Sequence, residues 1–437
     1  MNALHRATVV CAALLAAGSA VAADLLITNA RVFAGSDAND LTPLLHVAIT
    51  EGRIESISAR RPEAGDAVVI DARGQTLMPG LVDGHIHAFF DFPPLDAPAT
   101  APRRVQYPKS EAEVHAYVQG ALKAKLGAFL DQGFTSLLST IDPWPATVEM
   151  REQIARGDLR GPRVFASGGV FVGPAEYGLC AGNAWCAESF SAPTASADQG
   201  RESVRRYARS GVNQLVMVYN TEAKPVPLSS ASAAAIIDEA HRHGLKIFLE
   251  SPVDAKDVPQ LAKWGIDGFL HPPAGSVDQD GALLKDAGAR KLPVAITFGA
   301  VRERLRLGMQ LPEADLKRYE IQRRNTLSLI ASGGVPVFAS DLGDKQGLQP
   351  REIIRIQSEA LLDLGLTAPD VLRAATRDSA RYLLGRQDLG TVEQGKIADL
   401  ILIQGDPTRD LAALTKVQVV IKNGVVVADH RARHEPP

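Results

Sequence analysis

The strongest constraint on this 437-residue chain is an alternation. Short apolar runs trade places with helix-like runs through most of its length. Eight runs read as strands: "TLMPGLVDGHIH", "GFTSLLST", "PRVFASGGV", "NQLVMVYN", "LKIFLES", "IDGFLHP", "LPVAITF" and "VPVFASD". The stretches between them carry helix-end signals. Ser110 and Glu113 have the spacing of a capping box ahead of "VHAYVQGALKAKLGAFLDQG", which stops at Gly133. Ser229 and Ser230 lead into "ASAAAIIDEAHRHG", and Pro312 and Pro350 stand near the first turn of two further helices. Eight strands alternating with helices predict an α/β fold, a (β/α)8 TIM-like barrel, and the length fits. The alternative is a doubly wound open sheet, but no Gly-rich phosphate loop follows an early strand.

The two ends of the chain have another texture. "DLLITNARVF", "HVAITEGRIESIS" and "AVVIDARGQTL" are β-branched, partly alternating and broken by Gly, Asp and Asn. "ADLILIQGD" and "VQVVIKNGVVVAD" repeat that pattern near the C-terminus, with Asn423-Gly424 as a hairpin signal. Both ends are therefore expected to build one small β-sandwich, residues 23–79 and 388–437, around a barrel over 80–387.

The first residues, "MNALHRATVVCAALLAAGSAVAAD", combine a short basic start, an apolar stretch and small residues. Ala20-Val21-Ala22 fits the rule for cleavage. Residues 1–22 are read as a secretory signal peptide, placing the mature protein in the periplasm or outside the cell. No other segment is long and apolar enough to cross a membrane. Export bears on the cysteines. Cys180 and Cys186 both survive cleavage and stand in a Gly-rich loop, so a disulfide is expected in an oxidising compartment. A loop that short contributes roughly 2 kcal/mol in the chain-entropy account. The rival, a metal or catalytic thiol pair, matches no common zinc spacing. A net charge of −3 excludes broad attraction to nucleic acid or acidic membranes.

In a barrel of this kind, chemistry sits at the C-terminal ends of the strands. His85 and His87 fall at the end of the first. Side chains at i and i+2 share one face of a strand, so both rings can reach one ion. His241 and His243 have the same spacing in a helix, where the two positions point about 200° apart. That pair reads as a helix-end feature before Gly244, favourable beside the C-terminal dipole. Glu250 ends "LKIFLE", His271 ends "IDGFLH" and Asp341 ends "VPVFASD". These five nitrogen and oxygen donors suit Zn2+ and similar divalent ions. A bound ion of this type lowers the pKa of water to about 7 and polarises a carbonyl, while a carboxylate moves the proton.

With those residues in place, the chain resembles the amidohydrolase superfamily, close to its imidazolonepropionase-like and prolidase-like branch. "LMPGLVDGHIH" resembles the first-strand motif, and "LGLTAPDVLRAATRDSARYLLGRQDLGTVEQGKIADLILIQGDP" the C-terminal signature. The resemblance implies that His85 and His87 are metal ligands, that His271 is the sixth-strand histidine, and that Asp341 is the eighth-strand aspartate, ligand and proton shuttle. It also gives a family-level hint of a homo-oligomer. Three departures stand out. Val216 replaces the fourth-strand lysine that bridges two metals, Glu250 replaces the fifth-strand histidine, and Leu138-Ser139 stands where Arg-Asp is usual. Either Glu250 makes up the missing ligands around one ion, or the site no longer holds a catalytic ion.

The leading expectation is an exported metal-dependent hydrolase of an amide, cyclic amide or small peptide. The metal set is His85, His87, Glu250, His271 and Asp341. Asp341 acts as base then acid, and His271 orients or polarises the substrate. Two rivals remain: a degenerate relative acting as a ligand-binding protein, and a mononuclear deaminase-like enzyme. The loops over 173–191 and around Pro93 and Pro94 are expected to shape the pocket, with Trp144 as an apolar wall or packing residue.

Overall fold

The computed structural model describes residues 23–91, 106–174, 180, 182–220, 226–341 and 348–431. The expected signal peptide and the Pro93-Pro94 loop lie outside the described residues. Five strands open the chain: β1 (Leu25–Val32), β2 (Leu44–Thr50), β3 (Arg53–Ser58), β4 (Val68–Asp71) and β5 (Thr76–Pro79). Nine follow, interleaved with helices: β6 (Leu81–Ile86), β7 (Phe134–Ser139), β8 (Arg163–Ala166), β9 (Val170–Val172), β10 (Ser191–Pro193), β11 (Gln214–Met217), β12 (Lys246–Leu249), β13 (Pro293–Ile296) and β14 (Val335–Phe338). The last three are β15 (Leu400–Ile403), β16 (Val417–Lys422) and β17 (Val425–Asp429).

Hydrogen bonding joins the two chain ends in one eight-stranded sheet, in the order β17-β16-β15-β5-β1-β2-β3 with β4 against β1. The junction is antiparallel, with Met78 opposite Ile401. The turn between β16 and β17 places Asn423 at φ 50° and Gly424 at φ 75°, the left-handed pair that a tight hairpin demands. Alternate residues of this sheet, among them Leu25, Ile27, Val47, Leu77, Leu400 and Val419, bury one apolar face.

The middle strands pair in parallel: β6-β7-β8, β10-β9-β11-β12 and β13-β14. Isolated parallel bridges connect the first two groups at Ser167 and Gln214. Phe269 bridges Leu249 on one side and Val294 on the other. Beyond β14, the Asp341 N–H donates to the His85 carbonyl at 2.9 Å, tying the eighth strand end to the first.

Two strand expectations need correction. "TLMPGLVDGHIH" is not one strand. It divides at Gly80, where any Cβ would fall 2.2 Å from Thr135 Oγ1; β5 stays with the end sheet and β6 begins the parallel set. "IDGFLHP" forms no strand. Gly268 has φ 154° and presses against Pro293, and Pro272 and Pro273 supply no N–H to a ladder. Only the Phe269 bridges remain.

Local signals explain the helices. Ser110 caps Glu111–Tyr117 by accepting from the Glu113 N–H. The Glu113 carboxylate takes the Lys109 N–H, one residue before the partner that a capping box would give it. A π-turn over Val118–Leu122 leads into Lys123–Asp131, and Gly133 follows at φ 92°. Ser229 caps Ser230–Arg242, and Pro350 opens Pro350–Leu362. Trp144 packs edge-on against Tyr207 and donates to Ser210 Oγ at 2.8 Å, a structural role. Cys180 and Cys186 are joined in a disulfide.

Candidate metal centre

Period two does what it must at the end of β6. The rings of His85 and His87 stand edge-on, centroids 5.0 Å apart. Their Nε2 atoms lie 3.2 and 3.1 Å from one oxygen, Asp341 Oδ1. Glu250, directly after β12, brings Oε1 to 3.5 Å from His85 Nε2. The His271 ring lies 5.0 Å from that of His85, and its Nδ1 is 4.0 Å from Asp341 Oδ2. All five expected site residues therefore converge. His85, Glu250 and His271 make one group that could hold a metal, and His85, His87 and Asp341 another.

The supporting residues fix how these donors face. His87 Nδ1 sits 2.7 Å from the Thr140 carbonyl, which accepts its hydrogen; Nε2 then donates to Asp341 Oδ1 when the ring is protonated, and offers its electron pair to an ion when the ring is neutral. The ring also stacks on Phe90. Thr140 Oγ1 donates to Glu250 Oε1 at 3.1 Å. Asp142 accepts the Ala88 and Phe89 N–H groups, pinning the turn after His87. Asp83 Oδ1 accepts from the His85 and Ser340 backbones, linking β6 to the end of β14. Asp341 and Ile141 both have left-handed backbones, at φ 53° and 48°. For the β-branched Ile141 that conformation is strained, and it stands between Thr140 and Asp142.

The electrostatics show an unbalanced cluster. Burial lifts the Glu250 carboxyl to about 8 and Asp83 to about 7. Burial lowers His85 to about 4 and also lowers His271. Burial opposes a charge on His87 too, but hydrogen bonding to Asp341 and the nearby acids raise it to about 9. Burial opposes the charge on Asp341, whose side chain is 30% exposed, but the charge and hydrogen bonds of the facing imidazoles hold it well below the usual carboxylate range.

The donor set fits a divalent ion. Tetrahedral bonds of about 2.0–2.1 Å place ligand atoms about 3.3 Å apart. The three closest separations here, 3.1, 3.2 and 3.5 Å, straddle that value. Glu250 Oε2 is buried with no hydrogen-bond partner among the described residues. A buried carboxylate oxygen without a donor is costly unless a cation meets it. Val216 points into an apolar cluster with Leu138, Phe165 and Phe248, so its position offers no bridge to a second ion.

Thr140, Asp142 and Thr297, whose Oγ1 is 2.9 Å from His271 Nδ1, were not legible as site residues. Asp83 was also missed, although it lies two residues before His85, on the same strand face.

The amidohydrolase family model matches residues 76–427. An imidazolonepropionase from Caldanaerobacter subterraneus subsp. tengcongensis is 22% identical over 438 residues, covering 93% of this chain and 99% of that protein. A solved Xaa-Pro dipeptidase with methionine bound in its active site is similar at TM-score 0.73 and 21% identity, covering 92% of this chain and 99% of the other. A solved prolidase complexed with N-methylphosphonate-L-proline is similar at TM-score 0.72 and 23% identity, covering 93% and 99%. The likeness to these structures gives the fold, a TIM-type barrel with a second domain. The chain belongs to the amidohydrolase family.

Proposed function

We propose that this protein is an exported, metal-dependent hydrolase of a C–N bond in an amide, cyclic amide or small peptide. One observation carries the reading: two imidazole nitrogens meet one carboxylate oxygen within 3.2 Å, beside a buried Glu250 oxygen that lacks a donor. Family membership, and relatives named imidazolonepropionase and Xaa-Pro dipeptidase, support a C–N substrate.

In this reading β6 to β14 close into a (β/α)8 barrel over residues 80–387, and 23–79 with 388–437 form the sandwich. His85, His87, Glu250 and Asp341 would hold one Zn2+, and His271 lies within reach of the same site. When bound, such an ion makes water a nucleophile near neutral pH and polarises a carbonyl. Asp341 presents Oδ1 to the histidines and Oδ2 toward His271. Its carboxylate takes the attacking water's proton and returns it to the leaving nitrogen. His271, held by Thr297, orients the substrate carbonyl. Glu250 supplies the negative charge that Val216 cannot. Export rests on the N-terminal sequence, and the Cys180–Cys186 disulfide supports it.

The test is elemental analysis of purified protein together with assays on dipeptides and cyclic amides. About one zinc per chain and hydrolysis that stops with chelator are expected. Absence of metal, and no activity after adding Zn2+, Mn2+ or Fe2+, would leave a ligand-binding scaffold. Ammonia release from amino-heterocycles in place of amide cleavage would turn the assignment to a deaminase.

A further inference from the structure

We propose that the protein binds a small free oxyanion, phosphate or sulfate, between the parallel strands and the end sheet, at the strand end opposite the metal centre. The proposal stands apart from the hydrolase reading. A cavity of about 190 Å³ is lined there by Arg151, Arg163, Arg386 and Lys422, with Asn213, Asn423 and apolar side chains. Four of its lining residues are cations and none is an acid. The volume lies below the roughly 300 Å³ of the smaller pockets for organic ligands.

The chain's layout sets the location. Arg163 is the first residue of β8, and Asn213 directly precedes β11, whereas Glu250 directly follows β12 and Asp341 lies beyond β14. Arg151 comes from the helix Ala146–Arg156, which leads into β8. Lys422 ends β16, and Asn423 stands in the hairpin to β17. Arg386 follows the helical segment Ala374–Leu383. An anion in this cavity meets cations from the parallel strands and from the end sheet at once, so it ties the two together.

The positive excess survives when the paired acids outside the lining are included. Arg151 pairs with Glu152 at 2.6 Å, Arg163 with Asp399 at 3.3 Å and Arg386 with Asp388 at 2.7 Å. Lys422 instead donates to the Gly161 carbonyl at 2.7 Å, which carries no charge. Four cations against three carboxylates leave one charge over. Arg163 Nε is buried and has no hydrogen-bond partner among the described residues. Burial and the neighbouring Arg163 lower Lys422 to about 8 despite Asp399, the behaviour of an ammonium short of counter-charge. Guanidiniums and an ammonium are the donors that hold phosphate, and charge-assisted bonds to it are strong.

Calorimetry with inorganic phosphate tests this on the full chain, as purified and after chelation, because phosphate also binds metal ions. Sodium chloride at equal ionic strength is the control. Saturable binding with a dissociation constant of about 1 mM or tighter is expected in both forms. The thermal midpoint should rise as the site fills and then level off, unlike the steady rise that phosphate gives as an excluded salt. Lys422→Gln removes the ammonium without unpairing an acid. It should weaken phosphate about ten- to hundredfold, with metal content and any turnover at wild-type values. Lys422→Arg should restore binding. Arg386→Gln should weaken it too, so the test does not hang on one variant folding. No saturable binding, binding lost on chelation, or undiminished binding in the folded variants overturns the proposal. Failure of the hydrolase reading looks different: no amide is cleaved, while phosphate still binds and both substitutions still weaken it.

Discussion

The chain contains two H-x-H triplets, and the structure sends them to opposite fates. His85 and His87 end a strand, are 0% and 6% exposed, and aim their Nε2 atoms at the same oxygen of Asp341. His241 and His243 end a helix, with side chains 40% and 38% exposed. They diverge: His241 pairs with Asp267 at 2.9 Å, His243 with Glu239 at 3.3 Å. The dipeptide spacing is identical; the backbone period decides whether two rings share a target. Identical spacing also makes the helical pair an internal control for the strand pair.

The largest separation between the pairs should appear in turnover. His85→Ala or Asp341→Asn should lower kcat/KM on a cleaved amide by about a thousandfold or more, since each removes a ligand and the aspartate also moves the proton. The His241→Ala/His243→Ala double variant should retain wild-type kinetics. Comparable losses in both would break the comparison and point to a general folding defect.

The next effect is thermal. A ligand present at a hundred times its Kd stabilises by about 2.7 kcal/mol. Chelation should therefore lower the wild-type midpoint by several degrees, and restored zinc should recover it. The helical double variant should show the same shift, His85→Ala almost none. A chelator-insensitive wild type would remove the ion from the account.

Glu250→Gln sharpens the contrast further. It keeps the shape of the side chain and removes its charge, so zinc affinity should fall about ten- to hundredfold by competition titration. It should also change the pH response of the chelated protein. The folded wild type holds the Glu250 proton up to about pH 8, against 4.5 for an ordinary glutamate. Between those values the folded state binds more protons than the unfolded, so stability declines as pH rises from about 4.5 to 8. His87, raised to about 9 from 6.5, adds a decline of the same sign over its own interval. In Glu250→Gln the acid part of the decline should be missing from denaturant midpoints.

How much of this could be read from the sequence follows from which forces are local. The alternation of apolar runs and helix caps located strands within seven of the eight expected runs, the first and third of them divided, because period and capping act over a few residues. The sixth failed because Gly268 is shaped by Pro293, a contact made across the fold. The five convergent donors were legible because each ends an apolar run, and strand ends share a location in this architecture. Thr140 and Asp142 were not. They depend on a left-handed Ile141, which no pattern in "TSLLSTIDP" announces. Asp83 was within reach of the same period-two argument that found His85 and His87.

The smallest expected effect tests the helical pair by itself. The hydrogen bond between His241 and Asp267 joins the end of one helix to the turn after the next, across 26 residues. The histidine is 40% exposed, so solvent screens the interaction and its partner keeps water within reach. Asp267 Oδ2 also accepts the Ile247 N–H at the start of β12, and that bond survives the loss of the imidazole. His241→Ala should therefore cost under about 1 kcal/mol by denaturant titration, and less at high salt. His85→Ala in chelated protein has the opposite structure. It empties a fully buried position and leaves the Asp341 carboxylate with one fewer donor, so its cost should exceed that of His241→Ala and resist salt. Were the two costs equal, burial and convergence would not distinguish the strand pair from its helical counterpart.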